Sequence, residues 1–328
     1  MSTRPVVYVT RRIPETGLAP VREACQMRLW EGELPPPKSV LLQEVADCDG
    51  LLCLLTDPID AEVIAAGARL RVISQMAVGV DNIDLRAATA RGIPVGHTPG
   101  VLTEATADFT FALLMAAARR IPEGVDYVRA GKWRTWEPMG LLGVDVWGAT
   151  LGIVGLGRIG TAVARRARGF AMHILYSDPT RRPELEAELG VEYAELDDLL
   201  ARSDFVSLHC PLTPETHHLI GEAALRRMKP TAILINAARG PVVDPDALVR
   251  ALSEGWICAA ALDVTEPEPI PPDHPLVLLP NCIVVPHIAS ATVSTRERMA
   301  AMAAENLLAG LRGQRLPYCA NPEVYARP

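Results

Sequence analysis

Residue types that could together reduce a carbonyl lie far apart in this chain, each just past an apolar run. Arg239 follows ILIN in NAARGPVVD, Glu266 and Glu268 follow AAALDV in DVTEPEP, and His287 follows CIVVP. A guanidinium can grip a substrate carboxylate through paired hydrogen bonds and polarise the neighbouring carbonyl oxygen. An imidazolium can protonate that oxygen as hydride reaches the carbon, and a carboxylate beside the ring favours its charged form. Taken singly, each has a plainer reading: Arg239 as a solvated turn residue, Glu268 as an exposed loop charge between prolines, His287 as a strand cap. Taken together, they read as a site for reducing an α-keto acid.

Such chemistry needs a hydride donor, and LGIVGLGRIGTAVARRARGFAMHILYSD (residues 151–178) has the form of a dinucleotide site. An apolar strand meets Gly155, Gly157 and Gly160, and Ile159, Val163, Ala164 and Ala167 then recur at helical spacing. Gly155 permits a tight turn, Gly157 has no Cβ to block a pyrophosphate, and Gly160 lets the helix pack close to the strand. A second strand ends in Asp178, about 20 residues on, where an acid can hold a ribose 2′-OH and repel the 2′-phosphate of NADP. NAD is therefore the expected cofactor. Thr180, Arg181 and Arg182 would still meet a 2′-phosphate if Asp178 turned away, which leaves NADP as a second cofactor. The plainer reading is a glycine turn that packs a helix on a sheet.

These residues need a scaffold that gathers strand ends. Apolar runs at 6–9, 27–30, 50–55, 72–76 and 93–96 alternate with helical stretches at 16–25, 39–47, 60–67 and 83–91, with Ser39 and Asp60 as N-caps. Repeated βα units imply an α/β fold, a parallel sheet covered by helices. Residues 103–129 read as helical, broken or kinked by Pro122. Residues 131–148 read as irregular yet carry Trp133, Trp136, Met139 and Trp147, either buried against the chain's own helices or forming a subunit contact. Runs at 204–209, 232–236, 259–263 and 282–285 read as strands buried on both faces. Ser294 and Glu297 read as a capping box opening a final helix that Gly313 ends.

The 328 residues, 49% hydrophobic and 22% charged, suit a globular chain of two domains. A net charge of −7 argues against nucleic acid or an anionic membrane as partner. Seven scattered cysteines, several within apolar runs such as LLCLL and NCIVV, read as buried free thiols of a reducing compartment. MSTRPVVYVT enters a strand-like run without a secretory pattern, and no segment reaches about 18 uninterrupted apolar residues, so a cytoplasmic location is expected. No cysteine pair has ligand spacing, and the adjacent His217 and His218 would diverge on a helix or strand, so no metal is expected.

Along nearly its whole length the chain resembles the D-isomer specific 2-hydroxyacid dehydrogenases. The likeness is carried by VGLGRIG (154–160), SLHCPLTPETHHLI (207–220), INAARGPVVD (235–244), ALDVTEPEP (261–269) and PHIASAT (286–292), in the family's order. The resemblance implies two doubly wound parallel-sheet domains: a Rossmann dinucleotide-binding domain, 99–287, inserted in a flavodoxin-like substrate-binding domain, 1–98 and 288–328. It implies that Arg239 binds substrate and that Glu268, not Glu266, partners His287 as acid/base. It further implies that Asp263 holds the nicotinamide carboxamide, that Arg158, Ile159, Pro211 and Ala237 contact the cofactor, and that backbone N–H groups of Val78 and Gly79 grip the substrate carboxylate.

Within that family the chain is most like the glyoxylate/hydroxypyruvate reductases, through LLCLLTDPID, VGVDNIDL, HTPGVLTEATADF, KWRTWEP, DVTEPEPIPPDHPL and NLLAGLRG. That likeness implies NAD(P)H-dependent reduction of glyoxylate or hydroxypyruvate, and a homodimer in which the Trp136 loop reaches the partner's active site. One departure is YSDPTRR, where reductases of this group often carry an arginine-containing, acid-free segment; NAD is expected to be preferred and NADP to be used less well. The alternatives are a dehydrogenase for phosphoglycerate, another D-2-hydroxy acid or phosphite, and a cofactor-sensing, corepressor-like binding protein.

Overall fold

The structure, a computed structural model, describes residues 4–326; residues 1–3 and 327–328, the extreme ends of the expected substrate-binding domain, lie outside the described residues. The chain divides into two compact units, one of the residues up to Leu102 together with those from Ala291 onward, the other Thr103–Ser290. The sequence places the junctions at 98/99 and 287/288. The compact units divide a few residues beyond each, at 102/103 and 290/291, and Ile288 and Ala289 donate their N–H groups to Asp263 of the second unit.

The first unit runs β1 (Val6–Val9), α1 (Glu15–Ala24), β2 (Gln26–Leu29), α2 (Lys38–Val45), β3 (Gly50–Cys53), α3 (Ala61–Ala66), β4 (Val72–Gln75), α4 (Leu85–Ala90) and β5 (Val95–Gly96). Its strands pair in parallel in the order β2-β1-β3-β4-β5, with β3 and β4 buried along their whole length. The C-terminal helix Val293–Leu311 packs on α1, β3 and β4, and Gly17 lies so near it that a Cβ there would stand 2.7 Å from the Ala300 carbonyl oxygen. Asp60 caps α3 by accepting the Val63 N–H. Ser39, however, lies inside α2, whose N-cap is Pro37. The final helix is capped by Thr292, which accepts from Thr295, not by Ser294, because Thr292 is the last extended residue before it. It ends near Gly313, which takes a left-handed φ of 72° that glycine adopts without steric cost.

The second unit opens with α5 (Thr103–Ala118) and α6 (Ile121–Arg129), separated at Arg120, which has a φ of 51°. Pro122 thus starts a helix, where its missing N–H is harmless, and does not kink one. There follow β6 (Thr150–Val154), α7 (Arg158–Arg168), β7 (His173–Ser177), α8 (Pro183–Leu189), β8 (Glu192–Tyr193), α9 (Leu196–Arg202), β9 (Phe205–Leu208), α10 (Glu222–Arg227), β10 (Ile233–Asn236), α11 (Pro245–Ser253), β11 (Ala259–Leu262), α12 (Pro275–Leu278) and β12 (Cys282–Val284). The parallel sheet has the order β12-β11-β10-β9-β6-β7-β8. β9, β10 and β11 are fully buried, but β12 is an edge strand and only half-buried, against expectation. The direction of winding reverses between β6 and β9, where open α/β sheets gather ligands.

The side chains of Trp133, Trp136, Met139 and Trp147 are 66–79% exposed, so burial against the chain's own helices fails as their explanation. Helix α6 buries no residue either, and exposes Ile121, Val125 and Val128. All seven cysteines are free thiols, but Cys258 is exposed and Cys282 and Cys319 are half-buried, so not all are core residues. Among the described residues no helix is long and apolar enough to cross a membrane.

Candidate active site

The glycine loop sits at the sheet's switch point. β6 ends at Val154 and the chain turns at Gly155, φ 94°, where a Cβ would stand 2.7 Å from the Cys210 nitrogen in the loop after β9. A Cβ on Gly160 would meet the Gly155 carbonyl oxygen at 2.2 Å, so α7 starts hard against the strand end. Gly157 is the N-cap of α7, no side chain caps that end, and a Cβ built on it meets nothing within 4 Å. Open space over an uncapped helix N-terminus, with its N–H groups and positive dipole end, fits the pyrophosphate of a dinucleotide. Arg158 and Ile159 begin that helix; Pro211 follows β9 and Ala237 follows β10 on the same sheet edge.

Asp178 follows β7 and is held in place. Its Oδ2 accepts from the Leu156 N–H at 2.9 Å and its Oδ1 from the Thr180 N–H at 3.0 Å. Arg181 is engaged by both oxygens of Glu186, at 2.8 and 2.9 Å, and Arg182 lies 3.7 Å from Glu184. The Arg181 guanidinium and the Tyr176 hydroxyl hold the Glu186 carboxyl down to about 2. A site in which Asp178 turns away and these arginines receive a 2′-phosphate would first have to break those bonds.

Arg239 leaves the turn after β10. Asn236 shapes that turn, its Nδ2 donating to the Arg239 carbonyl (2.9 Å) and its Oδ1 accepting from the Ala238 N–H (3.0 Å), while Arg239 Nη1 donates to the Ala238 carbonyl (2.8 Å). The next residue, Gly240, lies against the loop after β11, since a Cβ there would stand 1.9 Å from the Thr265 carbonyl oxygen. That loop carries both candidate glutamates, and the geometry separates them. Glu268 Oε1 is 2.6 Å from His287 Nδ1, whereas Glu266 Oε2 is 2.7 Å from His218 Nε2. With Nδ1 on a carboxylate, Nε2 is the His287 nitrogen left to meet a substrate.

His287 itself has a left-handed φ of 53°, and its N–H points to the Asp263 and Val285 carbonyls. Asp263, 1% exposed, stabilises the turn by accepting from the Ile288 (2.7 Å) and Ala289 (3.0 Å) N–H groups. Burial pushes the Asp263 carboxyl above its ordinary value, against the pull of those donors and of His287. In the first unit, Val78 and Gly79 form the turn after β4, their carbonyls anchored by His97 Nδ1 (2.9 Å) and Gln75 Nε2 (2.6 Å). Trp136 lies on the exposed loop before β6.

Two features escape the sequence reading. His209, the first residue after β9, sits with Nε2 2.8 Å from Ser207 Oγ and Nδ1 buried without a partner; burial lowers it to about 4, so the ring is neutral. The neighbouring Cys210 thiol is pushed up to about 11 by burial and stays protonated. The second feature corrects an expectation: His217 and His218 do not diverge. His218 has a φ of 51°, neither helical nor extended, and its ring stacks on that of His217 with centroids 4.0 Å apart. With Glu266 they offer three ligand atoms within 4.8 Å of one another, which removes the histidine part of the ground for expecting no metal.

The family model described as D-isomer specific 2-hydroxyacid dehydrogenase, NAD binding domain, matches residues 111–289. A glyoxylate reductase from Korarchaeum cryptofilum is 61% identical over 98% of this chain and 97% of its own length. A crystal structure from Thermus thermophilus has a TM-score of 0.91 at 51% identity, covering 96% of this chain and 99% of that one. An NADPH-dependent glyoxylate/hydroxypyruvate reductase from Sinorhizobium meliloti, in complex with NADP and malonate, has a TM-score of 0.88 at 32% identity over 98% of both chains.

Proposed function

The chain belongs to the D-isomer specific 2-hydroxyacid dehydrogenase family, and from that premise we propose that it reduces glyoxylate and hydroxypyruvate to glycolate and glycerate, with NADH preferred and NADPH used less well. The observation that carries this reading is the His287–Glu268 pair, 2.6 Å apart, with the loop that carries Glu268 packed on the Arg239 turn at Gly240.

In this reading the unit Thr103–Ser290 is the dinucleotide-binding domain and the other unit binds substrate. Gly155, Gly157 and Gly160 hold the pyrophosphate, Asp178 the ribose and Asp263 the nicotinamide carboxamide, while Arg158, Ile159, Pro211 and Ala237 contact the cofactor. When bound, the nicotinamide supplies the hydride. Arg239 binds the carboxylate of the small keto acid and polarises its carbonyl oxygen, and the family likeness gives the Val78 and Gly79 N–H groups a substrate-binding role. His287 holds a proton on Nε2 and gives it to the carbonyl oxygen as the carbon is reduced. Glu268, on Nδ1, fixes the ring and stabilises the imidazolium before transfer.

The exposed Trp133, Trp136, Met139 and Trp147 and the bare apolar face of α6 support a homodimer in which the Trp136 loop lines the partner's site. Seven free thiols support a cytoplasmic location. The deciding experiment follows NADH and NADPH absorbance with glyoxylate, hydroxypyruvate, pyruvate and phosphohydroxypyruvate. The expected result is turnover of the first two with NADH favoured; reduction of only the phosphorylated acid, or of none, would overturn the proposal. Light scattering tests the dimer, and Trp136→Ala is expected to raise KM.

A further inference from the structure

We propose that His217, His218 and Glu266 form a binding site for a late first-row divalent cation of the zinc type, separate from the residues that act on the keto acid. Two imidazoles and one carboxylate are the ligand set of open zinc sites, which leave a fourth position to water. Here the three ligand atoms lie within 4.8 Å of one another. At metal–ligand distances of about 2.0–2.1 Å, tetrahedral ligands stand about 3.3 Å apart. His218 Nε2 and Glu266 Oε2, now hydrogen-bonded at 2.7 Å, would therefore need only a small side-chain rotation to admit an ion. His217 is exposed, so an ion held here would be within reach of water as a fourth ligand.

The backbone holds this arrangement in place. The Thr213 N–H donates to Thr216 Oγ1 at 2.8 Å, the His217 N–H to the Thr213 carbonyl at 3.0 Å and the His218 N–H to the Pro241 carbonyl at 2.8 Å. A left-handed backbone is uncommon at a non-glycine residue. At His218 its visible consequence is to lay two imidazoles side by side. The ligands come from two loops. One is stitched to Pro241, two residues past Arg239, and the other carries Glu266 two residues before Glu268. A bound ion would therefore tie together the two loops that flank the Arg239 turn. Magnesium and calcium, which favour all-oxygen ligand sets, would bind poorly.

The test is isothermal titration of the untagged, chelator-treated full chain with zinc chloride, with magnesium chloride as control. One zinc ion per chain and no magnesium binding are expected. His217→Ala, which truncates an exposed ring, and Glu266→Gln should each weaken zinc binding at least tenfold. Cys258→Ser, at the exposed thiol, should leave it unchanged. Zinc should raise the melting temperature of the wild type but not of His217→Ala. The proposal is overturned if the wild type shows no saturable binding, if both ligand variants bind zinc as well as the wild type, or if Cys258→Ser abolishes binding.

Discussion

Asp178→Asn would remove one negative charge from the mouth of the glycine loop while keeping the side chain's shape. The native carboxylate cannot swing aside, since its two oxygens accept from the Leu156 and Thr180 N–H groups at 2.9 and 3.0 Å. An asparagine keeps one acceptor oxygen for Leu156, and the Thr180 N–H, on an exposed residue, turns to water. A 2′-phosphate standing where a ribose hydroxyl would meet the carboxylate has its charge about 4 Å away. Each pair of unit charges at that distance repels by about 4 kcal/mol at an effective dielectric of about 20, and by about 1 kcal/mol in bulk water. For a nearly dianionic phosphate at this half-buried rim the penalty is about 2–4 kcal/mol, or about 30- to 900-fold in kcat/KM. Losing the charged hydrogen bond to the NADH ribose costs about 1–2 kcal/mol. The assay is kcat/KM for NADH and NADPH at saturating glyoxylate. In Asp178→Asn the NADH-to-NADPH preference should fall at least about 30-fold. Adding Glu186→Gln, which frees Arg181, should move it further towards NADPH. A single variant whose ratio stays within about twofold of the wild type would refute the electrostatic argument.

Arg239→Ala should raise KM for glyoxylate and lower kcat together, since one group both binds and polarises; the expected loss in kcat/KM is about 10²–10³ by steady-state kinetics. Glu268→Gln keeps a hydrogen bond to His287 but not its charge, so kcat should fall about 5- to 30-fold with NADH affinity, measured by fluorescence, unchanged. His209 gives a signature in stability: it stays neutral in the folded chain down to about 4, while the unfolded chain protonates near 6.5. The unfolded state therefore binds the extra proton, and stability falls as pH drops through that window, by up to about 3 kcal/mol. Urea unfolding at several pH values should show this slope, and His209→Gln should flatten it.

Legibility from sequence followed from how local each cause is. Gly155, Gly157 and Gly160 were readable because each answers a steric demand set by its immediate neighbours, and the structure places a different close contact, or open space, at each. Asp178 was readable because a strand end fixes its position. The two-residue β8 and the four-residue α12 are too short to show a period. The caps at Ser39 and Ser294 failed because the extended backbone ends earlier, at Pro37 and at Thr292. Residue spacing alone leaves Glu266 and Glu268 open; the family resemblance selects Glu268, and the path of the proline-rich loop brings it, and not Glu266, to His287. The stacking of His217 on His218 arises from one left-handed residue, a conformation that a histidine does not announce. Asp263 did leave a signal, an acid directly after a buried apolar strand, but its clamp on the His287 turn spans 25 or 26 residues and appears only in three dimensions.

The most direct measurement is single-turnover oxidation of bound NADH by glyoxylate in His287→Asn. Asparagine tolerates the left-handed backbone at this position and keeps the turn that Asp263 clamps, so the change removes the acid and leaves the site's frame. If His287 protonates the carbonyl oxygen, the rate should fall by about 10² or more with NADH affinity unchanged. A rate within about threefold of the wild type would contradict that role.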